Sequence, residues 1–528
     1  MAAAAAFLMA ATAVSRVLGL IREQVMLAFL GLGPGMGAFT VAFKIPSLIR
    51  TLVADTALSA AFIPVFSELI ATGRRREAWQ VASTVLLAAT LGLGLISIAG
   101  VVFAEQVVAL AAPGFDDPAA IELAVELTRI MFPTVVLFGL AGILMGILNS
   151  HDHFILPALA PILWNLVIIG AAAVFSREYG FQALAWGVLL GTLVQLLIQI
   201  PAVAKRGRRE LFSLALRHPA VRRVGVLMAP VVLTLGIVNF NVLVNTIIAS
   251  YISVEAPAVI DKAFRLFQLP QGMFAIAIGT VLFPTLSRLA ATQELAGFRR
   301  TLSLGVRQIF FVTLPFTAFF LVLGTPTVRL VFEYGRFTAA DTEKVAYALA
   351  FYSLGMAFVS ANTLLNRAFY GLQKTWLPLQ VGIVNLVLNA ALSLALYRPL
   401  GVGGITLSTS LVSAWNFFAL FYLLRRQAGS VEFAAVMRSV LKSVAALFPL
   451  SAAAYGAWYL ADFGLGASVG GRLVSVAAGY AAGLAAYALA ARLLGMAELD
   501  EVREVVRRRR RRQAAHDLSV EGKEREGL

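Results

Sequence analysis

The sequence predicts an all-α polytopic membrane protein with fourteen transmembrane helices, and two observations support that prediction. Of the 528 residues, 60% are hydrophobic and 13% are charged, with a mean hydropathy of +0.85, whereas soluble domains are about 45–50% apolar and about 25% charged. Apolar runs of about 20 residues, which cross about 30 Å of hydrocarbon, also recur from end to end. The runs are continuous and lack the alternation of a transmembrane β-strand, so they favour helices.

The helices are assigned in order from the apolar runs and the polar breaks between them. The first run opens with MAAAAAFLMAATAVS, lacks the basic start of a signal peptide and continues to about Leu30. We therefore interpret it as a helix and not as a cleaved signal. The predicted helices span residues 5–30, 38–66, 82–111, 122–148, 155–176, 181–203, 226–252, 262–287, 305–325, 342–371, 376–397, 403–424, 437–461 and 468–494.

An internal repeat divides the chain. The longest basic break, around residues 204–224, separates six helices from eight. Segments about 220 residues apart match: FIPVFSEL (62–69) aligns with LFPTLSRL (282–289), and Asn165 aligns with Asn385. Six helices separate the copies, so both have the same orientation, which is typical of transporters built from parallel repeats.

The predicted organisation follows from this repeat. It comprises an N-terminal lobe at 1–203 (helices 1–6), a basic cytoplasmic linker at 204–224, a C-terminal lobe at 225–425 (helices 7–12), helices 13–14 at 437–494 and a basic cytoplasmic tail at 495–528.

The distribution of Lys and Arg orients the helices. Nineteen of these residues fall in loops that follow even-numbered helices, and six fall in loops that follow odd-numbered helices. Because cytoplasmic loops carry the excess of positive charge, both termini are predicted to be cytoplasmic. Six consecutive arginines at 507–512 follow the last helix. Polybasic segments at this position commonly contact anionic lipid, so membrane lipids and not nucleic acid are the expected partner.

Several charged residues lie inside otherwise apolar helices. A charge near the bilayer centre costs about 2.5–3.5 kcal/mol on insertion scales, so it must face protein, water or a charged partner. Glu23 can offset one arginine, and Asp55 can reach Arg50 only if the helix bends between them. The cations still outnumber the acids. Snorkelling or structural ion pairing is the alternative for any single residue.

As a set, the surplus cations predict an anionic ligand. The planar fork of arginine suits phosphate, and the apolar surroundings suit a lipid tail, so the sequence predicts an amphiphile with a phosphate-bearing head. The candidate substrate-binding residues are Arg16, Arg22, Lys44, Arg50, Asp55 and Arg265.

Other chemistry has little support in the sequence. The chain has no cysteine, which excludes thiolate nucleophiles and cysteine-ligated metals. His151 and His153 have metal-like spacing, but we interpret their short loop as a polar turn. The sequence has no nucleotide motif, catalytic triad or catalytic carboxylate pair, so we expect a transporter and not an enzyme, without a cofactor or a metal.

Five motifs together resemble the MurJ/MviN lipid II flippases of the multidrug/oligosaccharidyl-lipid/polysaccharide exporter superfamily. The motifs are SRVLGLIREQ, AFTVAFKIPSLIRTL with AFIPVF, FRLFQLPQGMFAIAIGTVLFPTLS, VFEYGRFTAADT and NRAFYGLQKTWLP, and the likeness covers about residues 8–495.

The resemblance implies fourteen helices in two lobes around a central cationic cavity. It implies that the chain moves lipid II, the undecaprenyl-pyrophosphate-linked peptidoglycan precursor, from the inner to the outer leaflet of the bacterial cytoplasmic membrane by alternating access. The essential cavity arginines of the family fall on Arg16, Arg22, Arg50 and Arg265, with Lys44 and Asp55 alongside. The last two helices would form a groove for the lipid tail. The protein is expected to be a monomer, with the cell-wall synthesis machinery as a candidate partner.

The chain departs from the family pattern at several positions. Gly37 stands where an acidic residue is usual at the start of helix 2, and Phe264 stands where one often precedes the helix-8 arginine. Some members have a sodium site built with carboxylates on helices 7, 11 and 12. The matching positions here are the amides Asn239, Asn385 and Asn389, so sodium coupling is not expected.

Three alternatives remain at this stage. One is a flippase or exporter of another polysaccharide-lipid or amphiphile of the same superfamily, including a drug exporter, although cationic drugs would favour acids in the membrane. A membrane-embedded glycosyl- or phosphotransferase would need acidic metal ligands or a catalytic base. A structural scaffold would leave the buried charges without a reason.

Overall fold

The computed structural model describes residues 2–52, 58–207, 218–429, 432–466 and 468–499. These residues are almost entirely helical, and no strand occurs among them. The helices are α1 (Ala2–Leu30), α2 (Pro34–Ile49), α3 (Leu58–Ala71), α4 (Arg75–Val102), α5 (Ala104–Ala111), α6 (Pro118–Met131), α7 (Thr134–Asn149), α8 (Ile155–Leu197), α9 (Ile200–Gly207), α10 (Pro219–Ser250), α11 (Ala256–Ala291), α12 (Leu295–Val322), α13 (Gly324–Phe332), α14 (Ala339–Leu354), α15 (Met356–Gly371), α16 (Trp376–Leu400), α17 (Val402–Ala428), α18 (Phe433–Leu465) and α19 (Val469–Leu493).

The predicted class, an all-helical membrane protein, is confirmed, whereas the count of fourteen crossings is not. Within the described ranges, nine helices are long and apolar enough to cross a membrane, or ten if the bent pair α14 and α15 forms one span. Several predicted helices are divided: residues 82–111 correspond to α4 and α5, and residues 342–371 correspond to α14 and α15. Two predicted helices, 155–176 and 181–203, correspond to α8, whose backbone is non-helical at Gly180 (φ +53°, ψ −129°) between them.

Local chemistry explains two irregularities. Pro46 lies inside α2 and lacks a backbone N–H, and one wide π-type turn follows the end of α2 at residues 50–52. Elsewhere, α14 and α15 meet at Gly355 with a bend of 47°. The Ser410 hydroxyl donates to the Phe351 carbonyl oxygen (2.7 Å), which satisfies an acceptor exposed by that bend.

The chain forms two compact units. The first comprises residues 1–263, 331–348 and 382–408, and the second comprises 264–330, 349–381 and 409–528. The limits fall inside helices such as α11 and α16. The two lobes predicted from the repeat are a different division of the chain and stay a prediction.

Each unit has its own apolar core. In the first unit Phe62, Phe66 and Trp79 are fully buried together with Ile147. In the second unit one cluster centres on Phe298, Phe310, Phe369 and Phe417, and another joins α12 to α18 and α19 around Phe319, Leu450 and Tyr487.

A polar contact at the end of α19 reinforces the second cluster of the second unit. Glu498 is buried and accepts hydrogen bonds from Arg307 Nε (2.6 Å) and Ser439 Oγ (2.7 Å). Burial raises the pKa of Glu498, but the hydrogen bonds from Ser439 and Arg307 outweigh it and hold that pKa below its ordinary value. An ionised Glu498 therefore ties the chain after α19 to α12 and α18.

Candidate functional site

The candidate site lies in the first unit and begins with Arg22 on α1. The Arg22 side chain is only 9% exposed, and its guanidinium donates to Glu23 Oε1 (2.5 Å) and to Asn165 Oδ1 (3.2 Å). Its Cζ atom also lies 4.8 Å from the centroid of the Trp164 ring. Three different groups therefore fix the orientation of this arginine.

Two neighbouring residues of α8 supply two of those groups. Asn165 is oriented by its own amide, which donates to the Pro161 carbonyl oxygen one turn earlier (2.9 Å). The Trp164 Nε1–H donates to Thr192 Oγ1 (3.2 Å), so the indole is held by a hydrogen bond as well as by packing. The part of α8 before Gly180 thereby positions Arg22, and the part after Gly180 holds Trp164 through Thr192.

A second arginine shares the same aromatic surface. Arg50 lies at the wide turn after Pro46, and its Cζ atom is 4.8 Å from the Phe138 ring centroid and 6.0 Å from the Trp164 ring centroid. Cation–π contacts of this kind stabilise a guanidinium away from water. They use the face of the guanidinium, whereas phosphate oxygens bind its edge.

A buried lysine completes the charge arrangement. Lys262, at the start of α11, is only 3% exposed, and its Nζ atom lies 2.5 Å from Glu23 Oε2 and 3.7 Å from Asp261 Oδ2. On the other side, Lys44 Nζ of α2 lies 3.4 Å from Asp261 Oδ1.

These residues form an alternating row that joins α1, α11 and α2, which we call the charge row. Its members are Arg22, Glu23, Lys262, Asp261 and Lys44. Within this row three cations face two anions, an excess of one positive charge, and the guanidinium of Arg50 lies on the same aromatic surface. A buried positive surplus of this kind suits an anionic ligand.

The structure brings together only some of the predicted residues. Arg22, Lys44 and Arg50 lie in this region of the first unit, and the expected pairing of Glu23 with an arginine is present. Arg16 lies on α1 with an exposed side chain, and Arg265 lies half-buried on α11 within the second unit. Asp55 is outside the described residues.

Sequence reasoning did not nominate Lys262, Asn165, Trp164 or Phe138 for the site. Two signals were present: Lys262 and Asp261 are adjacent charges in an apolar helix, and Asn165 is one of the residues that the repeat aligns. Trp164 and Phe138 gave no signal, because an aromatic residue in a membrane helix is ordinary until a cation is found on its face.

One end of the first unit is closed by backbone contacts at glycines, which we call the end contacts. A Cβ atom on Gly37 would come 1.8 Å from the Val254 carbonyl oxygen. In the FEYGRFT motif, Gly335 has a φ of +60° and lies against Ala28, whose carbonyl oxygen accepts a hydrogen bond from the Arg336 N–H (2.8 Å). Only glycine suits position 335, because the backbone of Ala28 lies too close for a Cβ atom and because the positive φ is strained for other residues.

Two departures from the family pattern have local explanations. The Val254 carbonyl occupies the space that any side chain at Gly37 would need, which excludes an acidic residue there. In the second unit, the Phe264 ring lies 5.8 Å from that of Phe267 and 5.7 Å from that of Tyr352, so it belongs to an aromatic cluster.

The amides on α10 and α16 do not fit a sodium site built with carboxylates. Asn389 Nδ2 donates to Asn245 Oδ1 (2.6 Å), so this pair brings no negative charge and one of its oxygens already accepts a hydrogen bond. Across the ranges that the structure describes, no group of three or more histidine, aspartate or glutamate side chains is arranged to hold a metal ion.

Relatives identify the family. The sequence profile described as "Lipid II flippase MurJ" matches residues 26–476. The probable lipid II flippase MurJ of Rhizobium meliloti is 34% identical over 516 residues, which cover 94% of this chain and 95% of that protein. The lipid II flippase MurJ of Burkholderia cenocepacia is 33% identical over 424 residues, which cover 79% and 82% of the two chains.

Solved structures share the fold. A lipid II flippase MurJ in an inward closed conformation aligns with a TM-score of 0.77 and 24% identity, over 92% of this chain and 99% of that chain. An inward-facing multidrug resistance MATE transporter of the MOP superfamily aligns with a TM-score of 0.69 and 16% identity, over 79% and 95% of the chains. With the profile match over most of its length, the chain belongs to the lipid II flippase MurJ family.

Proposed function

We propose that this chain is a lipid II flippase of the bacterial inner membrane, a transporter and not an enzyme. It moves the undecaprenyl-pyrophosphate-linked peptidoglycan precursor from the inner to the outer leaflet and so serves cell-wall synthesis and cell shape. The observation that carries the proposal is the excess of cations over acids in the buried charge row, beside which Arg50 lies on the same aromatic surface. Family membership supplies the identity of the lipid.

The chemistry of the site matches the head of that lipid. A pyrophosphate presents several anionic oxygens, and Arg22, Arg50 and Lys44 offer two guanidinium forks and one ammonium group. Arg16 and Arg265 are proposed to add contacts to the pyrophosphate or the sugars, and Asp55 to accept hydrogen bonds from the polar head. The aromatic faces of Trp164 and Phe138 hold the two arginines in place for this contact.

The proposed membrane topology has fourteen crossings in two parallel-repeat lobes. The N-terminal lobe spans residues 1–203 and the C-terminal lobe spans 225–425, joined by a cytoplasmic linker at 204–224. Both termini are cytoplasmic, because the loops after even-numbered helices hold most of the Lys and Arg. Helices 13 and 14 at 437–494 accommodate the polyprenyl tail, and in the basic tail at 495–528 the six arginines at 507–512 contact anionic lipid headgroups.

Alternating access is supported by the end contacts. With cytoplasmic termini, the end contacts are on the outer side, and each joins a residue of the N-terminal lobe to one of the C-terminal lobe: Gly37 to Val254, and Ala28 to Gly335 and Arg336. Transport would require these contacts to separate so that the headgroup can leave outward. They are small and backbone-based, which suits repeated closing and opening.

A flippase for another polysaccharide-lipid is the second candidate, because the MOP superfamily fold alone does not select the substrate. Any alternative substrate must also be anionic, because the surplus charge of the site is positive. A cationic drug is disfavoured for the same reason.

The test is translocation of lipid II in liposomes that contain the purified protein. The wild type is expected to move lipid II, whereas folded Arg22→Ala and Arg50→Ala variants are expected to lose this activity. The exposed Arg398, which stacks on Tyr397, provides a matched control as Arg398→Ala. Failure of the wild type, with movement of a different anionic glycolipid, would contradict the choice of substrate but keep the anionic site.

A further inference from the structure

Lys262 occupies the centre of the charge row and contacts both of its acids. Its Nζ atom lies 2.5 Å from Glu23 Oε2 and 3.7 Å from Asp261 Oδ2, and its side chain is only 3% exposed. The other oxygen of each carboxylate faces a cation proposed to bind substrate: Glu23 Oε1 faces Arg22, and Asp261 Oδ1 faces Lys44. Lys262 therefore joins the two ion pairs through their acids.

The charge of Lys262 determines the net charge of the row to which an anionic ligand would bind. Glu23 and Asp261 compete with a pyrophosphate for Arg22 and Lys44, because carboxylate and phosphate oxygens bind the same donors. With Lys262 the row has three positive and two negative groups. Without Lys262 it would be neutral, and both acids would depend more strongly on Arg22 and Lys44 for neutralisation.

Lys262 also lowers the cost of exchanging partners. When Arg22 turns from Glu23 to a phosphate, Glu23 would be left as a buried charge, which is strongly unfavourable. The contact from Lys262 remains on the second oxygen of Glu23 during this exchange, and the same holds for Asp261 when Lys44 turns away.

We infer that Lys262 is a positioning residue of the headgroup site, which holds Glu23 and Asp261 so that Arg22 and Lys44 are available to a pyrophosphate-bearing headgroup. The inference rests on the proposed function, because it assumes that these cations bind the head of lipid II. It assigns to Lys262 a role that acts through its neighbours and not through contact with substrate.

The test measures binding of lipid II to the purified full-length protein in detergent at low and high salt, with inorganic pyrophosphate as competitor. Lys262→Met keeps an unbranched side chain only one atom shorter but removes its charge, and it is expected to weaken binding at low salt by roughly tenfold or more. Lys262→Arg is expected to keep binding within a few-fold of the wild type. Arg129→Met, which removes an exposed ion pair with Glu105 in the same unit, is the control and should bind as the wild type does.

A charge-restoring variant separates positioning from a merely structural role. Asp261→Asn combined with Lys262→Met restores one surplus positive charge and leaves the pair of Arg22 with Glu23, so it should recover most of the lost affinity. Asp261→Asn alone keeps Lys262 and adds a positive charge, so it should bind more tightly at low salt and remains informative if Lys262→Met does not fold.

Each outcome decides one question. If the wild type does not bind lipid II, the proposed function is wrong. If the wild type binds and folded Lys262→Met binds equally well, the inference about Lys262 is overturned. It is also overturned if the double variant stays as weak as Lys262→Met, or if Asp261→Asn alone brings no tightening, since charge would then not be the cause.

Discussion

Gly37 lies directly against the carbonyl group of Val254, so closely that a Cβ atom at Gly37 would come 1.8 Å from the carbonyl oxygen. This contact connects the start of α2, the helix that carries Lys44, with the segment that precedes α11, the helix that carries Asp261 and Lys262. The same two helices are also tied by the ion pair between Lys44 and Asp261. Closure at Gly37 and the geometry of the charge row are therefore linked through α2 and α11.

Gly37→Ala is expected to disturb this closure. The added methyl group cannot fit against a backbone carbonyl without a shift of the chain, and overpacking of this kind costs about 1–3 kcal/mol. We expect a lower thermal unfolding temperature in detergent and a reduced rate of lipid II translocation. Gly33→Ala is the matched control, because nothing lies within 4 Å of a Cβ atom at Gly33. Wild-type behaviour of Gly37→Ala would contradict the tight contact.

A disulfide across the end contacts should block transport. Cβ atoms at Gly31 and Arg336 would lie 3.5 Å apart, within the range for a disulfide, and the chain has no other cysteine. The double variant Gly31→Cys with Arg336→Cys is expected to cross-link on oxidation and to lose lipid II translocation. A reductant should restore the activity if the two sides must separate.

Single-cysteine variants are the control for this experiment. Gly31 has a φ of +75°, so Gly31→Cys carries the same backbone strain with or without its partner. Oxidation of either single variant should leave transport at its starting rate. Full transport by the cross-linked double variant would rule out the opening of the end contacts as a step of the cycle.

The class of fold was predictable from the sequence, because the summed hydrophobicity of a segment decides whether it can cross a membrane. The positions of the helix breaks and the partners in each ion pair were not predictable in this way. Pro46 and Gly355 are visible as helix breakers, yet only tertiary packing decides whether a helix bends, splits or stays intact there. Charges inside apolar helices were found, but Arg16 is exposed while Lys262 is buried at the centre of the row. Which cation meets which acid depends on how α1, α2 and α11 pack.

Trp164→Leu is expected to weaken lipid II binding more than Phe138→Leu does. Trp164 lies under both Arg22 and Arg50, whereas Phe138 faces Arg50. Each cation–π contact is worth about 0.5–2 kcal/mol, so the loss of two predicts roughly tenfold weaker binding for the tryptophan variant. Binding in detergent measures this difference, with the exposed Trp376→Leu as control. Binding by Trp164→Leu as strong as that by Phe138→Leu would mean that the aromatic rings do not hold the arginines.

Glu498→Gln is expected to destabilise the second unit in a pH-dependent way. The hydrogen bonds from Ser439 and Arg307 outweigh the effect of burial and lower the pKa of Glu498 in the folded protein below its ordinary value of 4.5. A carboxylate with a lowered folded pKa contributes stability above its unfolded pKa, and this contribution is lost as the pH falls through the folded pKa. Glu498→Gln should therefore unfold a few degrees below the wild type at pH 7, and the difference should shrink as the pH is lowered below 4.5. Thermal unfolding in detergent across this pH range measures the effect. Glu105→Gln, at an exposed position, is the control and should change the unfolding temperature little. If Glu498→Gln lowered the unfolding temperature equally at neutral and acidic pH, the shape of the Glu498 side chain, and not its charge, would tie the end of α19 to α12.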